Sequence, residues 1–182
     1  IMELMLTHRK AAADYLEYRR EIEGIAAEFA AKRATADDLA LLDRIMKRMA
    51  AAHDEGELRL EAEIDVEFHH AIGECAHNIV LLHTLRSCYR LLADGVSRNR
   101  MLIFSQTDAR QKLLEQHRAI HAAVAGGKPE EARQAAVAHI DFIERSMADA
   151  ERSGEWQRVS RLRLMQRSER GQNDTSEDDE RA

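Results

Sequence analysis

The sequence predicts an all-α fold, an antiparallel helical bundle of six to seven helices followed by a disordered, charged C-terminal tail. Three observations carry that expectation. Pro129 is the single proline and there are eight glycines among 182 residues, so helix breakers are scarce. Long stretches are rich in Ala, Leu, Glu and Arg, the residues that lose least on entering a helix. Within them apolar residues recur at three- and four-residue intervals, the period of a helix that buries one face. Aromatic residues make up only 4 %, so the core must be built mainly from Leu, Ile, Ala and Met.

The elements follow in order. Residues 1–12 read as the end of a linker or a frayed helix start. From Asp14 to about Arg33, Tyr15, Ile22, Ile25, Ala26, Phe29 and Ala30 share a helical face. Thr35, followed by Asp37 and Asp38, is an N-cap with acids in the first turn. It opens a second helix carrying Leu39, Leu42, Ile45, Met46 and Met49, which ends between His53 and Gly56. A third runs from about Leu58 to Ala76. Asn78 caps a fourth, with Val80, Leu81, Leu85, Leu91 and Leu92, expected to reach about Ile103. After a break at 104–108, a fifth runs from about Ala109 to Ala125 and stops at Gly126-Gly127. Pro129, in a first-turn position ahead of Glu130 and Glu131, starts a sixth that reaches Ser153 or beyond. Residues 13–153 form one domain. Residues 154–182 are arginine-rich and then acidic, a composition that cannot bury enough apolar surface to order itself.

Composition narrows the function. A net charge of −6 with no basic face in the main body argues against a free-standing nucleic-acid binder. Cys75 and Cys88 are the only thiols, both on apolar helical stretches, which suits a reducing compartment without a disulfide framework. No apolar run approaches the length of a membrane span. There is no Gly-rich phosphate loop, Gly-x-Ser-x-Gly elbow, Cys-x-x-Cys pair or HEXXH helix.

Nine histidines are the unusual feature. His8 and His53 sit at expected helix ends and read as exposed, and His77 and His83 flank a helix start. His70 lies about 100° around the helix from His69 and cannot share its direction. Asp65 and His69, four apart, lie on one face roughly 6 Å apart along the axis. That spacing lets a carboxylate oxygen and an imidazole nitrogen converge on one cation; a plain i,i+4 ion pair accounts for it equally. His117 on the fifth helix and His139 on the sixth occupy mid-helix positions that a bundle can aim inward. One carboxylate and three imidazoles suit a divalent ion, Zn²⁺ or Ni²⁺ before Mn²⁺.

The runs YRREIEGIAAEFAAKRAT, DVEFHHAIGECAHN and EQHRAIHAAVAGGKPEEARQAAVAHI together resemble the C-terminal effector-binding domain (FCD) of GntR-type transcription regulators of the FadR subfamily, over roughly residues 12–150 in one register. The resemblance implies a six- or seven-helix antiparallel bundle that binds and dimerises without turnover. It implies that Asp65, His69, His117 and His139 ligate the metal, with His121 outside the ligand set. It also implies a small 2-hydroxy or 2-keto acid effector, as in pyruvate-, lactate- or glycolate-responsive members. Arg19, in Arg-x-x-Ile-Glu, would pair with the effector's carboxylate, or with Glu23 one turn on. Asn78, Arg86 and Arg90 are further effector-binding candidates. The implied partner is a second copy of the chain in the cytoplasm, and DNA is met only through an N-terminal winged helix, of which residues 1–12 would be the linker remnant. The alternative is a metal-dependent hydrolase or other metalloenzyme using the same four residues.

Overall fold

The computed structural model describes residues 9–95 and 107–179. Among them are six helices and no strand: α1 Arg9–Arg33, α2 Ala36–Glu55, α3 Leu58–Cys75, α4 Ile79–Gly95, α5 Thr107–Ala125 and α6 Pro129–Asp179. The chain divides into two units, residues 1–146 and 147–182. The core and the site both lie in the first. The second unit consists of the remainder of α6, which carries helical backbone through the region read from composition as a tail, and residues 180–182 lie outside the described residues. The expected end of the fourth helix and the break at 104–106 also fall outside them. No helix of the described residues is long and apolar enough to cross a membrane.

Small residues on α1 set the architecture. Ala26, Ala27 and Ala30 are buried, and a Cβ added at Gly24 would sit 3.1 Å from Val137 Cγ2 of α6. Neighbouring helices can therefore approach α1 closely. Helix α3 packs against α1, α2 and α4, and α5 against α1 and α2. Leu42, Ile45 and Met49 from α2, Ile64, Phe68 and Ile72 from α3, Leu85 from α4 and Ile120 from α5 join one cluster. Each such side chain contributes about 1.5–3 kcal/mol when fully buried.

Local signals end the helices where the sequence placed them. Thr35 and Asp38 form a reciprocal capping box at α2, and Gly56 closes that helix at φ 75°, a left-handed conformation costly for other residues. The Asn78 side-chain oxygen accepts from Val80 N and Leu81 N, both at 3.1 Å, as an N-cap does. His53 departs from expectation. Rather than being an exposed terminal residue it is half-buried, its Nδ1 2.8 Å from Oε1 of buried Glu61 and its Nε2 3.0 Å from Gln111 Oε1. Arg110 Nε donates to the other Glu61 oxygen, and Arg110 Nη2 to the Ala52 carbonyl at 3.3 Å. A charged residue this buried must be paired, and its pairs tie the end of α2 and the start of α5 to α3. Two turns further along α5 stands His117.

Candidate metal centre

Asp65 and His69 project from one face of α3, one turn apart, into the space between α5 and α6. His117 and His139 reach the same space from those two helices. All four are at most 4 % exposed. One donor atom from each lies within 4.8 Å of all the others. His117 Nε2 is 3.0 Å from Asp65 Oδ1 and 3.3 Å from His69 Nε2, and His69 Nε2 is 3.8 Å from Asp65 Oδ1. The His139 ring stacks on His69 with centroids 5.0 Å apart and tilts over His117 at 4.5 Å. His139 Nδ1 meets Gln116 Oε1 at 3.1 Å, while its Nε2 is buried with no hydrogen-bond partner among the described residues.

A second layer of polar residues surrounds His69. Its Nδ1–H donates to Glu23 Oε2 at 2.7 Å, which leaves Nε2 as the lone-pair nitrogen turned toward the cluster. Glu23 is held in turn by Arg19 Nε and by the Tyr89 hydroxyl, which donates to Oε1 at 2.6 Å. Burial alone would raise the Glu23 carboxyl, but Arg19 and His69 hold it well below the usual carboxylate range. For Arg19, burial acts downward, and the Glu23 and Tyr89 oxygens keep the guanidinium well above its usual value. Burial pushes His69 down despite Glu23, and pushes His139 well down with the neighbouring imidazoles adding to the effect. Both imidazoles are thus kept in the neutral form that ligates metals.

These depressed imidazoles predict the pH response of the metal-free protein. In the unfolded chain each titrates near 6.5; in the folded chain, lower. Below that value the unfolded state binds protons that the folded state refuses. Stability is therefore full above about pH 6.5 and is lost as pH falls toward the folded values, by up to about 1.4 kcal/mol per pH unit for each such histidine. Urea midpoints measured in chelator from pH 8 downward should fall accordingly. A midpoint flat through pH 6 would contradict the buried neutral state.

The structure brings together Asp65, His69, His117 and His139, as expected from the sequence. The proposed effector contacts lie outside the four-residue cluster. Arg19 is 1 % exposed and makes the i+4 pair with Glu23 that the spacing also allowed. Asn78 is the cap of α4. Arg86 and Arg90 lie off the buried face of α4 that carries Leu85, Cys88 and Tyr89; Arg86 pairs with Glu74 at the surface, and Arg90 donates to Ser87. His121 pairs with Asp43 at 2.7 Å, outside the cluster. Three contributors were missed. Glu23 was read only as an ion-pair partner, and Tyr89 and Gln116 carry no local motif. Their signal in sequence is faint: Glu23 lies one turn beyond Arg19 on a buried face that continues in Ala26, Ala27 and Ala30.

The FCD domain matches residues 14–142. An Escherichia coli (strain K12) protein named for regulation of the L-lactate dehydrogenase operon is 34 % identical over 134 residues, 74 % of this chain and 50 % of its own length. The HTH-type transcriptional regulator LutR of Bacillus subtilis (strain 168) is 30 % identical, over 77 % of this chain and 64 % of its own. The Glc operon transcriptional activator of E. coli (strain K12) is 29 % identical over 85 % of this chain and 62 % of its own. The chain thus spans between half and two thirds of these relatives. Among solved structures, Streptococcus agalactiae GntR superposes with a TM-score of 0.64 at 27 % identity, covering 79 % of this chain and 63 % of that one. E. coli McbR/YncC, at 16 % identity and a TM-score of 0.65 over 81 % of this chain and 71 % of that one, shares the fold. The all-α bundle, the motifs and these matches agree: the chain belongs to the FCD-domain family of GntR-type transcription regulators, and it is a regulator domain rather than an enzyme.

Proposed function

We propose that this domain senses a small carboxylic acid through a divalent ion held by Asp65, His69, His117 and His139. The observation that carries the reading is the convergence of four buried donors from three helices on one point. Hydrogen bonding alone leaves part of the cluster unsatisfied: among the described residues the buried His139 Nε2 has no hydrogen-bond partner. The donor set favours Zn²⁺, with Ni²⁺ or Mn²⁺ as alternatives. Bound there, the ion would supply a Lewis-acidic anchor for the carboxylate and adjacent oxygen of a 2-hydroxy or 2-keto acid. His117 Nε2 now faces Asp65 Oδ1 at 3.0 Å, and ligation through it would require that nitrogen to present its lone pair, with any proton carried on Nδ1. Arg19 and Asn78 are engaged within the fold and Arg86 and Arg90 at the surface, and the effector contact we propose is through the ion's open positions.

Space around the centre links binding to movement. The cavity beside His69 and Glu23, walled by Ala26, Ala27, Ile72 and Leu85, leaves ≈ 10 Å³ for a water centre, room for about one molecule. A three-carbon acid entering here must part the helices. That difference in affinity between closed and opened packings is the free energy available for signalling. In the full-length regulator we place this event in a cytoplasmic homodimer, where it changes the spacing of two N-terminal DNA-binding heads.

Thermal unfolding of the Zn²⁺-loaded and the chelated protein with pyruvate, L-lactate, glycolate and dicarboxylates tests the reading. A specific acid at 100 times its Kd should stabilise the loaded form by about 2.7 kcal/mol, or roughly 5–11 °C, and leave the chelated form unmoved. Metal that raises Tm while no acid adds to it would reduce the ion to a structural brace.

A further inference from the structure

The imidazole of His69 can serve the cluster only in one tautomer and one ring orientation. We propose that Arg19, Glu23 and Tyr89 act as a single positioning unit that imposes both, and that Tyr89 carries the state of α4 to the centre. The inference rests on the metal reading and adds three residues that do not touch the ion.

The unit is a directed chain of buried hydrogen bonds. Arg19 Nη2 donates to the Tyr89 oxygen at 3.3 Å, and the Tyr89 hydroxyl donates to Glu23 Oε1 at 2.6 Å. Arg19 Nε donates to the same carboxylate oxygen. With Oε1 held by two donors, Oε2 is left for His69 Nδ1 at 2.7 Å. The Tyr89 ring also lies nearly parallel to the His69 ring, at 27° and 5.9 Å, beneath the Arg19 guanidinium at 5.1 Å. His69 is thus fixed along its edge by Glu23 and across its face by Tyr89. The three residues are 1 %, 5 % and 4 % exposed. A buried ion pair adds little net stability over an apolar replacement, whereas it does fix direction. Arg19 and Glu23 belong to α1 and Tyr89 to α4, so any shift between those helices reaches His69 through the hydroxyl.

The test uses the whole chain. In the metal-free protein, ¹⁵N resonances of the His69 ring should report a proton on Nδ1. Glu23→Ala should mix the tautomers and weaken Zn²⁺ binding by about 10–100-fold, the usual cost of losing such an outer partner. Glu23→Gln, which still offers an oxygen to Nδ1–H, should restore the Nδ1–H tautomer. Tyr89→Phe keeps the ring and removes the hydroxyl, and it carries the test if Glu23→Ala fails to fold. It should weaken Zn²⁺ binding toward the lower end of that range. An unaltered tautomer in Glu23→Ala, or an unaltered Zn²⁺ Kd in Tyr89→Phe, overturns the proposal. The tautomer is read without metal, so a wild type with Nδ1–H that binds no Zn²⁺ sinks the metal reading and leaves the positioning unit standing.

Discussion

If Asp65, His69, His117 and His139 hold a divalent ion as proposed, replacing His139 by alanine is expected to abolish stoichiometric metal binding and to make thermal stability indifferent to chelators. His139 is fully buried and is the only donor of the cluster from α6. Its removal leaves three donors on two helices and takes away a buried nitrogen, Nε2, that has no hydrogen-bond partner among the described residues. The loss of affinity should exceed the about 10–100-fold that an outer partner costs, because an inner ligand bonds the ion itself. Wild-type protein with metal at 100 times its Kd should gain about 2.7 kcal/mol, and the variant none. Elemental analysis after gel filtration, with melting curves in metal and in chelator, measures both quantities. His139→Leu, closer in volume, should fold and show the same indifference. Stoichiometric metal persisting in both variants would remove His139 from the ligand set.

The second large effect is expected at Phe68, which binds nothing. Its side chain is 0 % exposed, and its ring stands edge-on to His69 at 5.6 Å and to His117 at 5.1 Å. Phe68→Ala removes the largest apolar group at the junction of α3 and the site. It should destabilise the domain by about 3–5 kcal/mol, transfer and cavity together. For a chain of this length that is a fall in Tm of roughly 6–20 °C. Metal affinity should fall with it, since two of the imidazoles lose the wall that limits their rotation. Urea unfolding of the metal-free variant gives the first quantity. A loss under about 1 kcal/mol would mean that the helices collapse onto the space and that Phe68 does not brace the site.

The particular residues show where sequence reading succeeds. Thr35 with Asp38, Gly56, Asn78 and Pro129 punctuate the helices by local rules that need no tertiary contact, and α2, α4 and α6 begin within a residue of Thr35, Asn78 and Pro129. Asp65 and His69 were legible because a one-turn spacing on a rigid helix is itself a geometry. His53 was misjudged because its partners, Glu61 and Gln111, come from other helices and pull it out of solvent. Arg19 shows the same limit. Its spacing permitted a carboxylate from an effector or from Glu23, and the Tyr89 hydroxyl arriving from α4 favours the inner pair.

The sequence by itself determined the helices, their caps and the residue types able to hold an ion, since propensity, capping and i,i+4 spacing are properties of one segment. Only the tertiary structure decided that α3, α5 and α6 bring those residues to one point, and that α1 and α4 supply the carboxylate and hydroxyl behind them. The physical reason is that a desolvated charge must find its partners wherever packing delivers them, and packing is a property of the whole bundle.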